Sequence, residues 1–515
     1  MPLIICLEVS QKVSHKAKWK PCVHPNRGLS FLKNFIMSRR RAGVLLHPTS
    51  LPYSVMEGSL GEPAIKWLDF LATAGFTVWQ VLPLVPPDMV GSPYQSCSVF
   101  AGNPMMVGLK DLYQWGLLRE TDENLKNRET QLREAASRFN KHAPQEVVNE
   151  LDHFSSQCEF WLEDYVLFQT LHDHFELPWH QWPEPFRDRD TATLRDFSRQ
   201  HEDDMFRHRL TQFLFWRQWH ALKRVANDKG IWLFGDMPIF AAHDSVDTWR
   251  WRQNFYLDST GRMTRIAAVP PDCFSDSGQL WNMPHYNWPQ MQDNQYHWWQ
   301  QRLHYQLHLF DLIRIDHFRG FEAAYGVQPD SKDATRGEWY AGPGIEFFHT
   351  IGGQQVVERL VAEDLGYITE EVNQLRLSLG IPGMRVLQFA FDNDGYNPHL
   401  SHYHCPNMVV YTGTHDNNTT VGWWQDADAD LKERAKEYLC GSCTLMPDTL
   451  ISVALGSVAN LVILPLQDIL ALGSEARMNK PGCIENNWQW QFSSADLTGP
   501  LAQKYRALLS RYARL

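Results

Sequence analysis

Short apolar runs that end in polar residues recur along this chain. They are rich in β-branched or aromatic residues and are mostly continuous rather than alternating, which is typical of parallel strands covered on both faces. Eight such runs lie at 43–46, 77–82, 231–235, 312–315, 360–362, 386–391, 408–411 and 461–464. Eight parallel strands of this kind predict an α/β fold, a (β/α)8 TIM barrel.

The residues that follow these runs are chemically capable ones. They include His47, Asp236, Asp316, Glu363, Asp392, His415, Asp416 and Asp468. In a (β/α)8 barrel all of them would gather at the C-terminal rim, where the active sites of this fold lie. A doubly wound open sheet is the alternative architecture, because closure of the sheet cannot be seen in a sequence.

The uneven spacing of the runs predicts the domain organisation. The segment at about 83–229 separates the second and third runs and has helical periodicity at 159–172 and 204–227, so we expect an inserted helical subdomain there. Residues 1–40 precede the first run and contain a second methionine, Met37, which indicates an N-terminal extension. Residues 41–515 form the predicted catalytic barrel.

Composition and charge exclude several classes of function. The chain has 515 residues, of which 43% are hydrophobic, enough to bury a large core. Its formal net charge is -11, with acidic and basic residues interspersed, so no basic surface for nucleic acid is expected. The most apolar later stretch, 451–464, is too short to span a bilayer, so no membrane partner is expected.

Cysteine usage indicates a reducing compartment. The nine cysteines show no repeated spacing, which differs from a secreted disulfide framework and favours the cytoplasm. Cys440 and Cys443 form a single C-x-x-C pair without a second pair or a downstream histidine pair. Two reduced thiols are the favoured interpretation, and a zinc or redox site is the alternative.

Three carboxylates that follow three of these runs carry the candidate chemistry. Arg314 precedes Asp316 by two positions on the same face of a strand and should favour its ionised form, as a nucleophile requires. Glu363 could remain protonated as a general acid in a partly apolar pocket, and Asp416, beside His415, could stabilise positive charge. Two such acids are the minimum for retaining glycosyl transfer. Each acid could instead be a helix N-cap.

Several segments resemble signature sequences of one enzyme family. RIDHFRG, AEDLG and GTHDNNTT are similar to those of 4-α-glucanotransferases of glycoside hydrolase family 77, the amylomaltases or disproportionating enzymes. The resemblance also includes GVLLHPTSLP, GSPYQS, GDMPIF and GSEARMN and covers roughly residues 41–512. It implies an enzyme that needs no metal or other cofactor and that acts on maltooligosaccharides and other α-1,4-glucans.

The resemblance also implies roles for individual residues. Asp316 would be the nucleophile, Glu363 the general acid and base, and Asp416 the transition-state stabiliser. A loop at about 265–285 would cover the substrate cleft. The residues that it implies for substrate binding are Tyr94, Asp236, Arg314, His415, Asn417, Asp272, Phe274, Gln279 and Trp281.

Two departures from the family pattern fall in that loop. Cys273 replaces the tyrosine of PPDYFS, and Asn282 stands where the family tends to have the glycine of LWGNP. An α-glucan hydrolase with the same carboxylates and a glycan-binding protein with a silent site are therefore the alternative functions. Incubation with maltotriose separates them, because transfer makes longer oligosaccharides whereas hydrolysis only creates reducing ends.

Overall fold

The computed structural model describes residues 39–53, 56, 58–119, 127–271, 275–392, 395–439, 446–483 and 485–515. The strands within these residues are β1 Arg41–Leu45, β2 Val78–Gln80, β3 Trp232–Met237, β4 Ile266–Val269, β5 Gln279–Pro284, β6 Leu312–Ile315, β7 Ala323–Val327, β8 Glu338–Ala341, β9 Leu360–Ala362, β10 Gly383–Val386, β11 Met408–Tyr411 and β12 Leu461–Pro465.

Helices of very different length connect and cover these strands. They are α1 Glu62–Ala74, α2 Lys110–Gln114, α3 Arg128–His142, α4 Gln145–Gln157, α5 Glu159–Phe175, α6 Glu184–Arg187, α7 Thr191–Gln200, α8 Glu202–Asp228, α9 Val246–Arg250, α10 Trp288–Asp293, α11 His297–Leu309, α12 Gly344–Thr350, α13 Gly353–Val357, α14 Glu370–Leu379, α15 Thr420–Asp426, α16 Ala429–Tyr438, α17 Asp448–Gly456, α18 Leu466–Ile469 and α19 Gly499–Arg511.

Eight of the strands form one parallel sheet that closes on itself. The order is β10-β11-β12-β1-β2-β3-β6-β9, and each neighbouring pair is parallel. The N–H of Ala362, on β9, donates a hydrogen bond of 2.9 Å to the carbonyl of Pro382, just before β10, and so joins the two ends of the sheet. The predicted (β/α)8 barrel is confirmed, and the open doubly wound sheet is wrong.

The interior of the barrel explains why the strand sequences are continuously apolar. Alternate residues of every barrel strand enter one buried cluster, such as Val409 and Tyr411 on β11, whereas Val410 packs outward in the main core. Both faces of each barrel strand are therefore buried away from water. Gly43 on β1 leaves room for β2, because a Cβ atom there would lie 2.6 Å from the Cβ of Val78.

The sixth barrel strand lies earlier in the chain than the sequence pattern predicted. The predicted run 386–391 contains only the last residue of β10, and a turn of 3-10 helix, Leu387–Phe391, follows. The apolar pattern does not reveal this strand because Arg385 interrupts it. Arg385 pairs with buried Asp364 at 3.2 Å. Phe391 is apolar because it packs on Trp423 of α15.

Insertions after β2, β3 and β6 add further elements to the barrel. Helices α2 to α8 lie between β2 and β3 in the chain, and their description as a separate subdomain stays a prediction. A second, antiparallel sheet has the order β5-β4-β7-β8. Its β4–β5 pair forms a hairpin in the region predicted as a cleft-covering loop. Residues 1–38, which are all but the last two of the predicted extension, and residues 440–445, which include the C-x-x-C pair, lie outside the described residues.

Arg514, which follows α19, binds the first strand of the barrel. The Arg514 side chain is fully buried, and its Nη1 donates to the Arg41 carbonyl on β1 at 3.0 Å. Its other nitrogens donate to the carbonyls of Leu455 and Ser457 at 2.8 and 2.9 Å. Helix α19 packs beside α1 on the same side. In the described part of the chain, every helix is too short or too polar to cross a bilayer.

Candidate active site

The predicted site residues lie at one rim of the barrel because all eight strands run in the same direction. Asp236 lies near the end of β3, Asp316 directly follows β6, and Glu363 directly follows β9. Asp416 comes from the segment after β11, and Tyr94 comes from the segment after β2. The C-terminal ends of the strands therefore bring together residues that are far apart in sequence.

Arg314 is a buried hub between two carboxylates. Asp236 and Arg314 are opposite each other in the β3–β6 pairing, and Nη1 of Arg314 lies 2.8 Å from both oxygens of Asp236. Its Nη2 lies 2.8 Å from Oδ1 of Asp316. Burial disfavours the charged guanidinium, but Asp236 and Asp316 outweigh that effect and raise the pKa of Arg314 well above its usual value.

Asp236 is enclosed by its partners. The hydroxyl of Tyr94 donates to Oδ2 of Asp236 at 2.7 Å, and the Asp236 side chain has no exposed surface. Burial, followed by the charge of Asp236, raises the pKa of Tyr94 well above its usual value, so the phenol remains a donor. Asp236 contacts Tyr94 and Arg314 rather than the open cleft, and its predicted contact with sugar stays a prediction.

Asp316 differs from the expectation in its acidity. Its carboxyl keeps 29% of its surface exposed, yet burial raises its pKa to about 6, with Arg314 acting in the opposite direction and Asp236 and Asp416 adding to the rise. The sequence suggested that Arg314 alone would favour the ionised form. The structure shows that burial of Asp316 outweighs Arg314, and that Asp236, which pairs with the same guanidinium, also raises the pKa.

Glu363 is fixed by the backbone beside Asp316. The N–H of His317 donates to Oε2 of Glu363 at 2.7 Å, and the N–H of Leu365 donates to Oε1 at 2.8 Å. His317 has a left-handed backbone conformation with φ of 51°, a strained geometry that is often found at functional sites. Burial raises the pKa of Glu363 to about 7, Arg314 opposes the rise and Asp316 adds to it.

Asp416 reaches the same cleft from the segment that follows β11. Its Oδ1 accepts a hydrogen bond of 2.6 Å from Nδ2 of Asn479 and lies 3.3 Å from Nε2 of His415. Arg477 donates to the Asp416 carbonyl at 2.5 Å, so the loop is held from two sides. The Asp416 side chain remains 44% exposed and is thus open to a ligand.

Aromatic rings line the cleft beside Asp416. The rings of Tyr94 and His415 stack with centroids 5.2 Å apart and planes 7° apart. Trp488 packs against both, at 5.8 and 5.9 Å. Asn417 directs its Oδ1 back to the N–H and hydroxyl of Thr414, both at 2.9 Å, and so shapes its own turn. Its predicted sugar contact stays a prediction.

The hairpin of β4 and β5 reaches the segment that carries Asp316. The Trp281 ring meets the His317 ring edge-on with centroids 4.7 Å apart, and its Nε1 donates to Oε1 of Gln279 at 3.3 Å. Gln95 donates to the Trp281 carbonyl at 3.2 Å. Asp272 and Phe274, which were also predicted to bind substrate, lie outside the described residues.

None of the three acids caps an α-helix in the described part of the chain. Helix α14 begins after Thr369 rather than after Glu363. Helix α15 begins after Thr419, whose hydroxyl accepts a hydrogen bond from the N–H of Gly422 at 3.1 Å. The next α-helix after Asp316 is α12, which Pro343 precedes. The alternative that these acids are α-helix N-caps is therefore wrong.

Three residues of the site were not predicted individually, namely Arg477, Asn479 and Trp488. They come from the segment after β12, and the contacts above place them against Asp416 and Tyr94. Arg477 and Asn479 flank Met478 within the GSEARMN segment, so the family resemblance was a usable signal for them. Neither periodicity nor strand position indicated that this segment would fold back to Asp416.

Comparison with known proteins agrees with this geometry. The family model for glycoside hydrolase family 77, described as 4-alpha-glucanotransferase, matches residues 46–497. A 4-alpha-glucanotransferase of Thermus thermophilus is 42% identical over 498 residues, which are 92% of this chain and 99% of that protein. A rice relative, named a chloroplastic/amyloplastic 4-alpha-glucanotransferase, is 41% identical over 505 residues, 93% of this chain and 84% of its own.

A solved structure is similar over nearly the whole chain. Amylomaltase from Streptococcus agalactiae, in complex with acarbose, superposes with a TM-score of 0.87 and 32% identity, over 92% of this chain and 100% of that one. The name of the rice relative includes a plastid location, so the predicted cytoplasmic location stays a prediction. Sequence and fold together show that this chain is an enzyme of the 4-alpha-glucanotransferase family, glycoside hydrolase family 77.

Proposed function

We propose that this enzyme is a retaining 4-α-glucanotransferase that moves segments of α-1,4-glucan between maltooligosaccharides through a covalent glycosyl-enzyme intermediate. The observation that carries the proposal is the placement of two acids side by side. Glu363 accepts the N–H of His317, the residue next to Asp316, and the charge of Asp316 raises its pKa. Two adjacent carboxyl groups with different tasks are what retention requires.

In the first step Asp316 attacks the anomeric carbon of the donor glucan. The bond from that carbon to the glycosidic oxygen breaks, and Glu363 gives its proton to the departing oxygen. The reducing-end fragment leaves as an alcohol, and an ester joins the remaining glucosyl chain to Asp316. Arg314, 2.8 Å from Asp316, favours the carboxylate that attacks, and Tyr94 and Asp236 hold Arg314 in place.

In the second step the acceptor glucan enters where the first fragment left. Glu363, now ionised, takes the proton of the acceptor 4-hydroxyl, and that oxygen displaces Asp316 from the anomeric carbon. Two inversions give net retention of the α-configuration. Asp416, which keeps 44% of its side chain exposed beside His415, stabilises the positive charge that develops on the sugar in both steps.

The hairpin of β4 and β5 favours transfer over hydrolysis. Trp281 packs against His317, between the hairpin and the segment with Asp316, and Gln95 holds its backbone. A glycosyl ester survives until an acceptor arrives only if water is kept from it. The hairpin thus supports a sugar hydroxyl, rather than water, as the acceptor.

Product analysis with maltotriose tests the reaction class. We expect glucose and oligosaccharides longer than maltotriose, with the number of reducing ends constant, because each transfer replaces one α-1,4 bond by another. Reducing ends that increase as maltotriose disappears would establish the hydrolase alternative. Binding of maltotriose without any product would establish the silent glycan-binding protein.

A trapping experiment tests the covalent step. With α-maltotriosyl fluoride, whose leaving group needs no proton, a Glu363→Gln variant should form the ester but not resolve it. Mass spectrometry should find a maltotriosyl group on the peptide that contains Asp316. The matched control, Asp316→Asn, should carry none. An adduct on another residue, or a β-configured product from the parent enzyme, would contradict the mechanism.

A further inference from the structure

Two exposed aromatic rings lie side by side on elements that follow the proposed catalytic acids. Trp339, on the edge strand β8, is 40% exposed, and Tyr367, four residues after Glu363, is 66% exposed. Their ring centroids are 6.1 Å apart, and their planes differ by 27°. A single exposed aromatic residue is ordinary, whereas a paired aromatic surface beside an active-site rim indicates a binding function.

The buried guanidinium of Arg319 contacts both rings and helps to hold them in place. The guanidinium carbon of Arg319 lies 3.8 Å from the centroid of Trp339 and 5.6 Å from that of Tyr367. Arg319 itself is 5% exposed and donates to the backbone carbonyls of Tyr367 and Ala323. The rings are therefore ordered before any ligand arrives, which reduces the entropy lost on binding.

The position of the pair relative to Glu363 suggests which part of a glucan would reach it. Four residues separate Tyr367 from Glu363, so their Cα atoms are at most about 14 Å apart. Arg319 follows Asp316 by three residues, at most about 11 Å of chain. A general acid and base stands on the side where the leaving fragment departs and the acceptor enters. An acceptor glucan whose 4-hydroxyl lies at Glu363 can accordingly extend as far as the ring pair.

We infer that Trp339 and Tyr367 form a platform that binds the acceptor glucan some sugar units away from the bond that is cleaved and remade. This inference rests on the proposed function. One face of a pyranose ring carries C–H groups, which pack on the electron-rich face of an aromatic ring. A glucan of several units would contact Glu363 and the platform together, whereas a single glucose at Glu363 would not.

Acceptor selectivity tests the platform. With α-maltosyl fluoride as a fixed donor, kcat/KM is measured for maltopentaose and for glucose as acceptors. Trp339→Ala and Tyr367→Ala should each lower the ratio of maltopentaose to glucose by about tenfold, mainly through the KM for maltopentaose. Tyr367→Phe should restore the parent ratio, because a phenylalanine ring stacks equally well. Leu377→Ala, a change at a 57% exposed position on α14, is the matched surface control.

Direct binding separates failure of the platform from failure of the proposed function. Calorimetric titration of maltopentaose into Glu363→Gln, with and without Trp339→Ala, requires no turnover. We expect the second change to weaken binding by about tenfold. Equal affinities, or an unchanged acceptor ratio in both alanine variants, would overturn the platform even if the parent enzyme transfers glucan. A parent enzyme without transfer activity would refute the proposed function, and the titration would still decide whether the platform binds glucan.

Discussion

At the scale of single residues, the site depends on one guanidinium that two carboxylates share. Arg314 contacts Asp236 and Asp316 at the same distance of 2.8 Å, and Asp236 also receives the hydroxyl of Tyr94. A nucleophile with an exclusive arginine partner would be strongly acidic. Here burial outweighs Arg314, and the charge of Asp236 adds to its effect, so the pKa of Asp316 is raised and lies close to that of Glu363.

This arrangement predicts a narrow pH optimum. The first step requires ionised Asp316, with a pKa of about 6, and protonated Glu363, with a pKa of about 7. Activity should therefore fall below about pH 6, as Asp316 gains a proton, and above about pH 7, as Glu363 loses its proton. A plot of kcat/KM against pH should be bell-shaped, with both limbs belonging to the interacting pair.

A donor substrate that needs no acid catalysis provides the control for the fall in activity at high pH, the basic limb of the curve. The first-turnover release of fluoride from α-maltotriosyl fluoride needs no proton from Glu363, so this limb should disappear while the acidic limb remains. A basic limb that persists with the fluoride would show that another group controls it. An acidic limb near the ordinary pKa of an aspartate would show that Asp316 is not perturbed.

The residues also show what a sequence can and cannot reveal about a site. Asp316 and Glu363 were predictable because each directly follows an apolar strand. The pairing of Asp236 with Arg314 was not, since it arises from the register of two strands that are far apart in the chain. Trp488 was not predictable from the pattern either, because a long irregular segment after β12 returns it to Tyr94.

At the scale of elements, β5 contains a departure from the family that has a structural reason. Asn282 has a left-handed backbone with φ of 55°, at the position where the family resemblance led us to expect glycine. Asparagine tolerates this conformation better than most residues with a side chain, so the replacement is compatible with the strand. The family resemblance therefore showed the position, and the backbone shows why it is restricted.

Substitution of Asn282 should measure that restriction. Asn282→Ala should lower the free energy of unfolding by about 1 kcal/mol, because alanine pays the full steric cost of a positive φ. Asn282→Gly should keep the parent melting temperature or raise it. Thermal melts of the three proteins check this expectation, and equal melting temperatures for the alanine and parent proteins would contradict it.

At the scale of the whole molecule, the barrel is held closed by residues near both chain ends. Arg514 donates to carbonyls at the start of β1 and in the segment before β12. Burial, followed by the charge of Arg40, lowers the pKa of Arg514 to about 9, which leaves it charged at neutral pH. A fully buried cation of this kind is favourable only while all its hydrogen bonds are made.

Removal of this arginine should therefore destabilise the protein. Arg514→Met removes the side chain that donates to the Arg41 carbonyl, and Arg40 remains as the donor to the carbonyls of Leu455 and Ser457. The free energy of unfolding should fall by about 2 kcal/mol. Arg511→Met, at an exposed position on α19, is the control and should melt like the parent. A melting temperature of Arg514→Met equal to that of the control would show that the chain end does not support the barrel.

The pairing of β1 with β12 also has a consequence for biosynthesis. Arg41 pairs with Leu461, so one edge of the first strand lacks its partner until the ribosome has made β12, far later in the chain. An open strand edge on a nascent chain is a site for pairing with the wrong segment. The barrel thus cannot close before β12 has been synthesised, and the edge of β1 that pairs with β12 stays open until then.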